Sequence, residues 1–278
     1  MPEPLRISAS DGYALGANIF GPESTGPIVV VNGATGVKQR YYARFALWLA
    51  ERNCTVITYD YRGIGESRPH HLRGFTGSLR DWGQLDFEGV LRFASTLAPS
   101  RPVAVIGHSV GGQLLGFAPS NTQLGRAVTV GSQSGSWRHW PGARKLMMWA
   151  VWNGLMPAFT HLFGYLPGKL GTGEDLPKNV ALEWARWGRH REFFKDDGIS
   201  TEGFSRLTLP IESFSFTDDS YAPSSAVDWL HGLFSNARVQ RHHLAPADLE
   251  AKAIGHFGAF NTRFNDTLWP RLAVALGA

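Results

Sequence analysis

A single cysteine, Cys54, is the entire thiol content of this 278-residue sequence, so an internal disulfide is excluded. Its place in the apolar run Cys54-Thr55-Val56-Ile57 suggests a buried strand residue instead. No apolar stretch is long enough to cross a bilayer. The opening Met1-Pro2-Glu3-Pro4-Leu5 lacks the basic-then-apolar order of a secretory signal, and a cytoplasmic protein is the expectation. The net charge is +4 and the pI about 9.3, yet Lys and Arg never gather into a basic run, which argues against nucleic acid as a partner. Internal repeats and low-complexity tracts are absent. What remains is a chain with 43% hydrophobic residues, enough for a sizeable core in one large α/β domain or two small ones.

The most informative run is Val103-Ala104-Val105-Ile106-Gly107-His108-Ser109-Val110-Gly111-Gly112. An apolar segment fit for a buried strand stops at Gly-x-Ser-x-Gly, and a small-residue helix opening follows, which is the pattern of a nucleophile elbow. Gly107 and Gly111 keep Cβ atoms away from the place where strand and helix backbones approach. Ser109 is the candidate nucleophile, and the Val110 amide at the helix start can face an oxyanion formed beside it.

Around this run the chain alternates short apolar strands with amphipathic helices. Two antiparallel strands within Leu5 to Phe20 turn at Asp11-Gly12. Strands are then expected at Pro27 to Val31, Thr55 to Tyr59, Val103 to Ile106, Ala127 to Val130, Leu209 to Phe216 and Arg238 to His243. Helices are expected near Tyr41 to Arg52, Leu79 to Ala98, Pro223 to Phe234 and Thr262 to Leu276. Such alternation implies a mostly parallel sheet flanked by helices. The rhythm breaks between Ser132 and Arg206, a helical, Gly/Pro-punctuated segment holding Trp137, Trp140, Trp149, Trp152, Trp184 and Trp187. The division that follows is a core of residues 1–131 and 207–278 with a Trp-rich cap at 132–206, placed at the strand ends where such folds bind ligands. Trp137 and Trp140, nearest the strand before the cap, are the expected substrate-facing rings.

A serine hydroxyl needs a base to take its proton and an acid to orient that base. The strand ending at Phe216 runs into Thr217-Asp218-Asp219-Ser220-Tyr221, so one of two adjacent carboxylates is the candidate acid; Asp219 is favoured, with Asp218 the alternative. Among ten histidines, His256 in Ile254-Gly255-His256-Phe257-Gly258 lies in a Gly-flanked loop after the last strand and is the candidate base. His242 and His243 fall at a strand end as packing or surface residues, and His108 points away from the serine. The remaining histidines lack a paired carboxylate, and the adjacent pairs lack the third ligand of a metal site. Neither a metal nor a cofactor is expected. The second oxyanion donor is sought in Asn32-Gly33-Ala34-Thr35-Gly36, with the Ala34 amide first and Thr35 next. That loop lacks the Lys-Ser or Lys-Thr ending of a phosphate-cradling loop.

With these residues in hand, the sequence resembles the α/β-hydrolase superfamily over nearly its whole length. Asp60-Tyr61-Arg62-Gly63-Ile64-Gly65-Glu66-Ser67 is similar to a structural loop of that family, and Asp81-Trp82-Gly83-Gln84-Leu85-Asp86 to the helix start preceding its nucleophile strand. The Asp219-to-Pro223 spacing matches the family's acid loop. Two departures are evident: Asn32-Gly33 stands where many members have His-Gly, and the Trp-rich insert is unlike the short lids of small esterases. The closest resemblance is to serine hydrolases near the monoacylglycerol lipase and serine aminopeptidase groups. The leading expectation is a Ser109–His256–Asp219 triad acting on a small ester-type substrate, and the aromatics of the insert point to an apolar acyl or alcohol group. Thioester, amide or peptide cleavage and acyl transfer are open alternatives on the same acyl-enzyme, and a non-catalytic binding module is the rival from outside catalysis.

Overall fold

A computed structural model describes residues 2–278. Eight strands form one sheet: β1 (Glu3–Ser8), β2 (Ala14–Phe20), β3 (Ile28–Asn32), β4 (Thr55–Tyr59), β5 (Val103–His108), β6 (Leu124–Val130), and, after a two-residue ribbon of β7 (Tyr165–Leu166) and β8 (Leu176–Pro177), β9 (Pro210–Phe216) and β10 (Arg238–Leu244). Their order is β1-β2-β4-β3-β5-β6-β9-β10, and every neighbouring pair from β4 to β10 is parallel. Only β2 runs against the rest. The central strands β3, β4 and β5 are buried along their whole length because helices cover both faces. Ile28 and Val30 point into one hydrophobic cluster, while Val29 and Val31 point into the other.

Three expectations are refined. The antiparallel β1 and β2 do join through Asp11-Gly12, in a turn closed by the Gly12 N–H on the Ala9 carbonyl at 2.9 Å, with Gly12 at φ 88°. The last helix begins at Leu268, after a separate 3₁₀ turn at Thr262–Phe264, because Asn261 caps that turn through its side chain. The helix expected near Leu79 to Ala98 carries a π turn at Trp82–Phe87. Inside that turn Trp82 is fully buried, with its indole N–H donating to the Arg62 carbonyl at 3.1 Å.

Residues 132–206 contribute no strand to the large sheet among the described residues. Gly142–Ala150, a π turn at Val151–Leu155 and Met156–Phe163 follow one another as a helical run, which packs against Lys178–Arg189. Trp187, Phe193, Phe194 and Phe204 are fully buried and belong to the same hydrophobic cluster as one face of the sheet. The insert therefore does not bury a core of its own. Its second half is welded to the sheet-covering layer, and residues 142–163 lie outermost.

Candidate active site

At the end of β5 the chain turns sharply into Val110–Gln113 through Ser109, whose φ of 55° and ψ of −117° lie in a region that a side chain rarely occupies. The turn is held because the Ser109 N–H donates to the Val130 carbonyl at 2.9 Å. A Cβ on Gly107 would press on the Gly112 nitrogen, and one on Gly111 on the Asn32 carbonyl. The glycines of the motif are thus a steric requirement of the elbow.

The structure brings Asp219 and His256 together. His256 Nδ1 lies 2.7 Å from Asp219 Oδ2, with both side chains almost wholly buried. A carboxylate only accepts, so Nδ1 carries a proton, and in the neutral ring the lone pair is then on Nε2. The other oxygen, Asp219 Oδ1, accepts from the Tyr221 and Ala222 amides at 2.8 and 3.0 Å, which fixes the carboxylate plane. Asp218 faces elsewhere. Its Oδ2 accepts from the Ile254 and Gly255 amides at 2.7 and 3.1 Å, so it anchors the loop that presents His256. Adjacent carboxylates are divided between the ring and its loop.

The oxyanion loop corrects an expectation. The Ala34 N–H donates to the Tyr42 hydroxyl at 2.8 Å and is not free to meet a substrate. Thr35, half-buried, lines the cavity beside Ser109 and Val110. Among the described residues neither the Thr35 nor the Val110 N–H has a hydrogen-bond partner in the loops and caps. The Tyr42 hydroxyl in turn lies 2.8 Å from His108 Nδ1, and His108 Nε2 lies 2.9 Å from the His256 carbonyl. A carbonyl only accepts, so Nε2 carries the proton of His108, Nδ1 accepts from the Tyr42 O–H, and the Tyr42 oxygen accepts from Ala34. Burial, followed by the neighbouring His256, pushes the His108 imidazole down to about 3, which keeps this chain of donors in one order at neutral pH. His108 does point away from the serine, and it ties the oxyanion loop to the His256 loop.

The family model described as "Serine aminopeptidase, S33" matches residues 22–160, half of the chain. The chain belongs to this α/β-hydrolase family. An uncharacterised Escherichia coli K12 protein, YfhR, is 33% identical over 121 residues, a stretch that spans 40% of this chain and 39% of that protein. Among solved structures, the esterase Pf2001 of Pyrococcus furiosus has a TM-score of 0.63 at 14% identity, covering 100% of this chain and 92% of its own. The esterase EaEST of Exiguobacterium antarcticum has 0.65 at 16%, covering 99% and 100%. A 2-hydroxy-6-oxo-6-phenylhexa-2,4-dienoate hydrolase from Rhodococcus sp. strain RHA1 has 0.64 at 17%, covering 100% of both. At such identities the likeness is one of fold.

In this α/β hydrolase, Ser109, Val110 and Thr35 open onto a cavity of about 330 Å³ walled mainly by Trp140, Met147, Met148, Val151, Trp152, Met156 and Trp184. Among the described residues, no carboxylate, Lys or Arg lines it. Trp140 is buried, with its indole N–H donating to the Ser220 carbonyl at 2.9 Å, so it braces the acid loop from the cavity side. Trp137 is placed differently from expectation. It lines a separate surface cleft with Arg138 and Lys145, whose cations sit 4.4 and 5.5 Å from its ring. The cleft's position follows from the 3₁₀ turn at Trp137–His139, which swings residue 137 away from residue 140. Trp152 and Trp184, 5.1 Å apart, take the place expected of it.

Several contributors were not singled out in the sequence. Tyr221 stacks on His256 at 5.2 Å and also lines the cavity, and its place two residues after Asp219 was the available signal. Gly131, with φ 58°, passes so close beneath the pair that a Cβ would lie 3.1 Å from His256 Nδ1 and 3.2 Å from Asp219 Oδ2. Tyr42 gave no local signal, because its role depends on meeting both the Ala34 amide eight residues back and His108 at the distant end of β5.

Proposed function

We propose that this chain is a serine hydrolase that cleaves a carboxylic ester bearing an apolar acyl or alcohol group. The reading rests on the buried 2.7 Å His256–Asp219 pair beside a strained serine elbow. Ser109 Oγ attacks the ester carbonyl while His256 Nε2 takes its proton, and Asp219 stabilises the imidazolium. The Val110 and Thr35 amides hold the oxyanion, Thr35 replacing Ala34 because the Ala34 donor is already committed. Collapse expels the alcohol with the proton from His256, and a water activated by the same ring then releases the acid from Ser109. Residues 132–206 act as a cap that closes the acyl pocket. The family's aminopeptidase name would call for a group to hold a substrate's terminal ammonium, and the cavity lining offers no carboxylate.

Two measurements test this. A fluorophosphonate probe should label the wild type but not Ser109→Ala, whose ester turnover should fall by roughly three or more orders of magnitude. Rates on p-nitrophenyl esters of two and eight carbons, the matching thioesters and aminoacyl amides should rank the longer ester first. Labelling that survives in Ser109→Ala removes the nucleophile, and amides ranking first would replace the ester reading.

A further inference from the structure

From Gly89 to Gly173 the sequence contains no Asp or Glu. The outermost helical run of the fold, residues 142–163, lies within this acid-free stretch. Trp152, Met156 and Thr160, spaced by four residues, face inward and are buried. The opposite side presents Leu146, Trp149, Leu155 and Leu162 at 70%, 49%, 53% and 71% exposure, with Met147 beside them and Leu170 following. Most of the large apolar side chains that the protein leaves in water are concentrated here. Around them stand the exposed cations Arg73, Arg138, Arg144, Lys145 and Lys169, none of which has a carboxylate partner among the described residues.

We propose that this face docks on an anionic lipid bilayer, with the 142–163 run lying in the headgroup layer and its apolar side chains reaching the acyl boundary. Apolar side chains alone would fit a lipid surface or a second copy of the chain. The charge decides between them. A two-fold contact of this face with itself would bring the same unpaired cations of both copies together, which is unfavourable. An anionic surface neutralises all five at once. Met147 and Leu170 belong to the exposed patch and also to the wall of the cavity that holds Ser109. The docked face therefore borders the cavity mouth, and an apolar ester could pass from the lipid into the cavity without crossing water. Docking itself requires no turnover and stands apart from the reaction assigned to Ser109.

The test uses the full chain and two vesicle preparations, pure phosphatidylcholine and phosphatidylcholine with about one third phosphatidylglycerol. Sedimentation should carry the wild type with the anionic vesicles and leave it in solution with the neutral ones, and binding should weaken as salt is raised. Arg144→Gln and Lys145→Gln should each weaken partitioning about five-fold. Leu146→Glu/Leu162→Glu should abolish it at an unchanged melting temperature, because both side chains project from the surface. Ser109→Ala should bind like the wild type, so failure of docking and failure of the hydrolase reading are told apart by sedimentation and fluorophosphonate labelling respectively. No binding to the anionic vesicles, or equal binding by Leu146→Glu/Leu162→Glu, overturns the proposal. So does a dimer in sedimentation velocity that the double substitution dissolves, since the face would then be a protein interface.

Discussion

At the scale of single residues, the adjacent carboxylates show how one sequence position can separate two tasks. Asp219 holds the His256 ring and Asp218 holds the backbone of the loop that carries it. Asp219→Asn should cost about 10⁴-fold in kcat, because an amide favours the wrong imidazole tautomer. Asp218→Asn leaves the ring's partner in place and should show a far smaller loss of kcat with a lower melting temperature. Steady-state kinetics and thermal unfolding on both variants check this; equal losses of kcat would mean that loop and ring cannot be separated. The sequence alone singled out Ser109, His256 and the Asp218/Asp219 pair as candidates, since each follows a strand end and has a residue type suited to the proposed chemistry. It could not disclose that Ala34 is occupied. That depends on Tyr42 reaching back over eight residues to the loop and on His108 being buried beside it. These contacts exist only once the sheet has formed.

At the scale of elements, the strand and helix rhythm was readable because strands covered on both faces are continuous apolar runs. The segment 132–206 was readable only as an interruption. Its inward rings were harder to assign, because distance along the chain from β6 is a poor guide when a 3₁₀ turn intervenes. Trp137 lies in a different cleft, whereas Trp140, Trp152 and Trp184 wall the cavity. Burying an aromatic ring against a ligand is worth roughly 1 to 3 kcal/mol, so truncating a walling tryptophan should weaken long acyl chains selectively. Trp184→Ala should lower kcat/KM for an octanoyl ester about ten-fold or more relative to an acetyl ester, while Trp137→Ala should leave that ratio unchanged. An unchanged ratio in Trp184→Ala would mean that the ring supports the fold of residues 132–206 and does not select the substrate.

For the molecule as a whole, the way that buried histidines are paid for in hydrogen bonds sets its response to acid. His231, at the end of Ser224–His231, is buried beneath β6, where its Nδ1–H donates to the Val227 carbonyl at 2.7 Å and its Nε2 accepts from the Thr129 hydroxyl at 2.8 Å. Burial pushes its imidazole down to about 4, and that of His108 to about 3. Both lie below the value of about 6.5 that an unfolded histidine has. Above that pH both states are neutral and neither group affects stability. Below it the unfolded chain binds protons that the folded chain refuses, so stability is lost as pH falls from about 6.5 toward 4 and 3. Burial also raises Asp60, Asp86 and Glu183, which act in the opposite sense, so the histidine share is best read as a difference between proteins. At pH 5 the refused proton on His231 amounts to about 2 kcal/mol, or about 3 to 4 °C in melting temperature for a chain of this size. Melting curves of the wild type and His231→Gln at pH 7.5 and pH 5 should therefore show the wild type losing more on acidification, by about that margin. Equal declines in the two proteins would mean that His231 takes up its proton in the folded state, and that the bonds to Val227 and Thr129 do not hold it neutral.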